Sequence, residues 1–188
     1  MTKSPTQDQE LTAEELANLT AVSDVLPHWN AHNIKGVLGF YQPDITWHNV
    51  AMEATYHNRR EVGAFLNNLF AAFPDLTFEV GERIARGDRV AEKWTMAGTH
   101  LGTYLGVPAT GRRVEIHGMS MVRMREGRFL TDDFYYDASG VMRQLGLLPS
   151  LQATTGRAGR AILTLAVITR KVAVRAASVF PKRKGGTP

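Results

Sequence analysis

The chain has 188 residues, 44% apolar and 21% charged, with no cysteine; this fits one globular domain with an appendage and excludes a wholly disordered chain, disulfide frameworks, thiolate metal sites and a cysteine nucleophile. Its formal charge of +4 is unevenly divided, because the last 38 residues carry eight basic side chains and no acidic one, leaving residues 1–150 at −4. A nucleic-acid-binding body thereby loses its electrostatic basis, and Met1–Glu10 lacks the apolar core of a signal peptide, so a cytoplasmic location is expected.

Residues 1–10 read as a polar segment. Leu11–Leu19 follows as a helix with Thr12 as N-cap and Glu15 completing a capping box. A second helical pattern spans Ala21–Phe40, bent or restarted at Pro27. Tyr41-Gln42-Pro43-Asp44 reads as a turn and Ile45–Val50 as a short strand around Trp47 and His48. Asn58–Phe73 returns to helical spacing, with Val62, Phe65, Leu66, Leu69 and Phe70 on one stripe. Four strands are predicted after it, over Leu76–Ala85, Arg89–His100, Arg113–Met124 and Arg128–Asp137, and Gly140–Leu148 reads as a short helix. Helices beside a mostly antiparallel sheet make the body, residues 11–150, an α+β domain.

Residues 151–188 form a basic, apolar extension whose longest uncharged stretch, Ala161–Thr169, falls well short of the ~20 residues of a membrane span. Arg157, Arg160, Lys171 and Arg175 would share one side of a helix, with Lys182-Arg183-Lys184 behind it. Two readings of residues 157–184 stand: an interfacial helix for an anionic membrane surface, which would make the protein peripheral, and a solvated extension.

Three stretches belong together: Gly98-Thr99-His100-Leu101-Gly102 with Gly106-Val107-Pro108 and Thr110-Gly111-Arg112 behind it; Glu126-Gly127-Arg128; and Asp137-Ala138-Ser139-Gly140 running into Gln144-Leu145-Gly146. In this order the sequence resembles the SnoaL-like polyketide cyclase family of the nuclear transport factor two-like superfamily, over roughly Leu19–Leu148. The resemblance implies a cone-shaped α+β fold, with a curved sheet wrapped around helices, an internal ligand cavity and frequent homo-oligomers. It also implies intramolecular aldol ring closure of a polyketide without metal or organic cofactor, an aspartate on the last strands acting as acid/base. The superfamily also holds isomerases, dehydratases and binders, so function rests on the site.

The turn sets the register of the last hairpin. Arg125-Glu126-Gly127 fits a three-residue loop with a glycine bulge, which places Met124 opposite Arg128. His117 then opposes Tyr135, Met119 opposes Asp133 and Glu115 opposes Asp137, all six on one side of the sheet, expected to be the cavity side. The other side carries Val114, Ile116, Val122, Leu130, Phe134 and Tyr136. A two-residue turn would slip this register by one.

Aldol closure needs a base for a proton alpha to a carbonyl and a donor for the developing oxyanion. Asp137 or Asp133 is the candidate base, with His117 and Tyr135 as donors; in the alternative, Asp137 caps the terminal helix and Asp133 is a solvated strand residue. Trp94 and Met96 share a strand face with His100 and suit either a flat ligand or an ordinary core, and His100 serves either substrate or loop backbone. Trp47 and His48 alternate, so one of them faces the cavity. Met119 is a gap-filling residue or a soft ligand wall. His28 and His32 have a spacing open to metal ligation but no third ligand, so no metal is expected. The competing functions are an acid/base enzyme on a hydrophobic carbonyl compound, of cyclase, ketosteroid-isomerase or dehydratase type, and a non-catalytic carrier of a hydrophobic small molecule or lipid.

Overall fold

The computed structural model describes residues 10–150, and the interfacial-helix reading of 157–184 lies outside them. The chain divides into two units after Leu145, and the fold below is that of the first. α1 (Ala13–Asp24) starts as the sequence predicts. Thr12 Oγ1 accepts from the Glu15 N–H at 3.2 Å, and Glu15 Oε2 accepts from the Thr12 N–H at 2.8 Å. The second Glu15 oxygen accepts from the Gly87 N–H at 2.8 Å, so one side chain caps the helix and pins a distant turn. These hydrogen bonds, the Thr12 backbone first, hold the Glu15 carboxyl below the usual carboxylate range. Thr12→Ala is expected to cost about 1 kcal/mol, read as an earlier urea midpoint.

The single pattern read over Ala21–Phe40 is divided into the end of α1, α2 (Leu26–Asn30) and α3 (Ile34–Gly39). Pro27 stands in the first turn of α2, where its missing N–H costs nothing. His32 takes a left-handed φ of 51°, which breaks the helical phase that would have aligned it with His28. Its ring stacks on Phe70 and its Nε2 bonds the Leu76 carbonyl at 3.0 Å. Among the described residues no cluster of three metal-ligating side chains occurs.

β1 (Tyr41–Asn49) begins where a turn was expected, and its pairing with the last strand is interrupted between Tyr41 and Thr46. Pro43 lies in that interruption, where a missing donor is tolerated. A short 3-10 turn leads to β2 (Ala54–Tyr56), which sequence periodicity missed because three residues carry too little pattern. α4 (Arg59–Ala72) buries the predicted stripe of Val62, Phe65, Leu66, Leu69 and Phe70. β3 (Thr77–Arg86), β4 (Arg89–Thr99), β5 (Arg113–Arg125) and β6 (Arg128–Tyr136) follow, and α5 (Ala138–Gln144) closes the unit.

The result is an α+β fold with one curved, unclosed sheet in the order β2-β1-β6-β5-β4-β3, antiparallel except between β1 and β6. Its inner face packs on the helices through Trp29, Phe65, Phe70, Phe73, Phe78, Trp47, Trp94 and Phe134. No helix among the described residues is long and apolar enough to cross a membrane.

The last hairpin corrects the predicted register. Glu126 and Gly127 both have positive φ, 53° and 69°, and form a two-residue turn with Arg125 opposite Arg128. Leu130 then drops out of the ladder as a bulge, so that Met119 opposes Tyr135 and Met121 opposes Asp133. The shorter turn and the bulge each shift the register by one residue in the same direction. Alternation is therefore restored, and the two predicted side-chain sets stay intact with partners displaced by two residues.

Candidate active site in the sheet interior

The inner face of the sheet is dominated by aromatic rings. Trp94 stacks on Phe134 at 4.1 Å between ring centres, and Trp47 packs on Phe134, Phe65 and Tyr56. Polar groups sit among them. On β4 and β5, Glu92 pairs with Ser120, whose hydroxyl accepts from Trp94 Nε1 at 3.1 Å. Asp132 lies between Val122 and Trp47 in the ladder and is buried. Burial, reinforced by the negative charge of Glu92, pushes the Asp132 carboxyl well above the usual carboxylate range, and burial also raises Glu92 despite its 3.4 Å ion pair with Arg83. Tyr41, fully enclosed beside these acids, is raised as well.

Trp47 Nε1, Asn49 Oδ1 and Asp132 Oδ1 are buried on adjoining inner positions without a well-formed hydrogen bond, although the Trp47 indole and the Ser120 hydroxyl lie close enough to Asp132 to oppose part of the effect of its burial. Buried polar groups are nearly always paired, so atoms left without a well-formed bond mark a place where a bound molecule can supply one. Tyr56, Tyr104 and Tyr136 stand nearby, each phenol raised by burial and each within electrostatic reach of another. They stay protonated at neutral pH and act as donors. A cleft of about 460 Å³ lies between Tyr56, Phe65 and Asn68 on one side and Thr103, Tyr104 and Leu105 on the other. A smaller space of about 50 Å³ is lined by Leu69, Phe73, Met96, Ile116, Tyr136 and Val141 among others.

Four of the sequence-predicted site residues face this interior: Trp47, Trp94, Met96 and His100, all buried. His100 Nδ1 lies 3.3 Å from the Thr110 nitrogen and 3.2 Å from Thr110 Oγ1, while its Nε2 is buried without a hydrogen-bond partner. It stacks on Phe73 and holds the glycine-rich loop to the sheet.

The other six do not face it: Trp47 is the inward member of the Trp47/His48 pair, and the cavity-side facing expected for Asp133, His117, Met119, Tyr135 and Asp137 is corrected. Asp133, His117, Met119 and Tyr135 lie on the outer face, opposite the helices, because the buried set is the even-numbered one. His48 is there too, bonded through Nδ1 to Asp133 Oδ1 at 2.6 Å. His117 bonds Thr95 Oγ1 at 3.0 Å. Met119, Met121, Tyr135, His117 and Lys93 line an open groove of about 550 Å³. Asp137 is exposed at the N-cap position of α5, its carboxylate held low by the Ser139 hydroxyl at 2.6 Å and by Arg143 at 3.0 Å. The outer face thus brings together His48 with Asp133, and His117 with Met119 and Tyr135, while Asp137 stands apart, lining a surface cleft with Glu115 and His117.

The residues that sequence reasoning missed are Asp132, Asn49 and the three tyrosines. A signal for Asp132 existed: it shares parity with Phe134 and Tyr136, so it is a lone acid on an apolar strand face. Nothing local marked Tyr104, whose position depends on how the loop folds back to α4.

Comparison with known proteins agrees with this architecture. Residues 20–145 match the family model of the SnoaL-like polyketide cyclases. Among solved structures, AclR from Streptomyces galilaeus, a candidate hydroxylase, is 26% identical with a TM-score of 0.64, the match covering 72% of this chain and 89% of AclR. IdmH from Streptomyces antibioticus, a candidate polyketide cyclase, is 25% identical with a TM-score of 0.60, covering 69% of this chain and 98% of IdmH. A candidate SnoaL-like cyclase from Jannaschia sp. CCS1 shares the fold at 20% identity and a TM-score of 0.67, over 75% and 99% of the two chains. No curated protein sequence matches. With the family model spanning the sheet and nearly every helix around it, the chain belongs to the SnoaL-like polyketide cyclase family.

Proposed function

We propose that this protein performs cofactor-independent acid/base chemistry on a hydrophobic carbonyl compound, of the ring-closing aldol type, with Asp132 as the proton-transferring group. The observation that carries the reading is the enclosed Asp132 carboxyl, set on an aromatic strand face beside Trp47 and Ser120 with no cation paired to it among the described residues. The chemistry of these groups matches the reaction. A carboxyl whose proton affinity is raised by burial is a stronger base once it ionises, and the Trp47 N–H and the tyrosine phenols donate to an oxyanion. Tyr56 and Phe65 line the outer cleft and pack on the Trp47 indole, whose ladder neighbour is Asp132. One side chain therefore separates the cleft from the acid, and substrate reaches Asp132 by displacing that indole.

The test is deuterium incorporation alpha to the carbonyl of α-tetralone in D2O, with tryptophan fluorescence reporting binding. Exchange faster than in buffer supports an enzyme; quenching without exchange supports the carrier reading; neither response overturns both.

The outer groove supports a homo-oligomer. Met119, Met121 and Tyr135 are exposed side by side there at 54%, 41% and 47%, an apolar cluster of the kind that a second copy of the chain can cover. Met121→Glu is expected to shift the assembly to monomer in light scattering. The charge of residues 157–184 supports contact with an anionic membrane. Full-length protein is expected to co-sediment with phosphatidylserine vesicles at low salt and to be released at high salt.

A further inference from the structure

Glu92 and Asp132 occupy the same dry face, on strands either side of β5. Two carboxyls in such a space are costly to ionise together, so the proton resides on one of them. Other groups facing the pair are Tyr41 and Trp47 from β1 and Ser120 from β5, with Asp133 on the reverse side of β6. None of these is a cation. The cation comes from β3, where the register slips between Val80 and Arg83 and sets Arg83 directly opposite Glu92. Without that irregularity Arg83 would point outward with Glu79. Its Nε lies 3.4 Å from Glu92 Oε2, while its other nitrogens donate to Ser23 Oγ at 3.1 Å and the Val22 carbonyl at 3.5 Å, anchoring the guanidinium on α1. The ion pairs among the described residues join Arg83 to Glu92 and give Asp132 no cation.

We propose that Arg83 is a positioning residue that fixes the proton on Asp132, by holding Glu92 as the anion at the far side of the pair. It rests on the reading in which Asp132 transfers the proton. Arg83 itself need not touch the substrate: it selects which acid is neutral, and the negative Glu92 keeps Asp132 from ionising early.

The experiment is a pH titration of the full-length protein by carbon NMR, with side-chain carboxyls labelled in aspartate and glutamate and assigned through Asp132→Asn and Glu92→Gln. In the native chain Asp132 is expected to be protonated and Glu92 ionised at neutral pH. In Arg83→Met the proton moves to Glu92, and the proton affinity of Asp132 falls by about tenfold or more, one pH unit or more in its midpoint; Arg83→Lys keeps the native order. Arg83→Gln, which keeps hydrogen-bonding capacity but removes the charge, lowers the affinity of Asp132 in the same way and serves if Arg83→Met does not fold. Unchanged midpoints in these variants, or Asp132 ionised in the native chain, overturn the proposal. A native proton order in a protein that does not exchange α-tetralone would instead sink the catalytic reading and leave the role of Arg83 intact.

Discussion

Asp132→Asn is expected to slow α-proton exchange of a bound ketone by about 100-fold, the usual contribution of one positioned acid or base, while leaving the fold in place. Asparagine has the shape of the neutral acid that the interior favours, so packing against Trp47 and Val122 is retained. Stability supplies an independent readout. Because burial raises the folded-state affinity of Asp132 for its proton, the native chain binds more protons than the unfolded chain above the ordinary carboxylate range. The stability tied to that proton is fully present at low pH and is lost as pH rises through the folded-state value. Urea unfolding across pH should show this decline in the native protein and a flatter profile in Asp132→Asn. Asp133→Asn and Asp137→Asn serve as comparisons, since both carboxyls lie outside the aromatic interior; if either abolishes exchange while Asp132→Asn does not, the site belongs to the outer face.

The second large effect is expected at Gly118. A methyl group there would stand 2.2 Å from Trp94 Cη2 and Cζ2 and 2.5 Å from the Tyr135 carbonyl oxygen. Neither neighbour yields easily. Trp94 is buried, stacked on Phe134 and bonded to Ser120, and the carbonyl belongs to the adjoining strand. Gly118→Ala should therefore cost about 3 kcal/mol, at the upper end of overpacking penalties, seen as a lower denaturant midpoint and altered tryptophan fluorescence. The same close approach lets the Trp94 indole reach past Gly118 to the Ser120 hydroxyl on β5. A tolerated Gly118→Ala, with native fluorescence and midpoint, would mean that the ring has another resting place.

Much of this architecture was legible from residue patterns alone. The capping box at Thr12 and Glu15, the α4 stripe from Val62 to Phe70 and the long strands all follow from local spacing and hydrogen-bonding chemistry. So do the two side-chain sets of the final hairpin, because alternation survives any even shift in register. The C-terminal charge excess is a property of composition. What local pattern left open was which set meets the helices. His117, Met119, Met121 and Tyr135 mix apolar and polar groups in the same way as an active-site wall, and Val114, Ile116, Phe134 and Tyr136 read equally well as an oligomer face. The choice rests on long-range packing: α4 and the N-terminal helices need apolar partners, and the even-numbered face supplies Trp94, Val122 and Phe134. Once that face is covered, Asp132 becomes the enclosed acid and Asp133 the outward partner of His48. The compensating turn and bulge around Leu130 were hidden for the same reason, since a two-residue turn and its correction are fixed together by the sheet that closes around them.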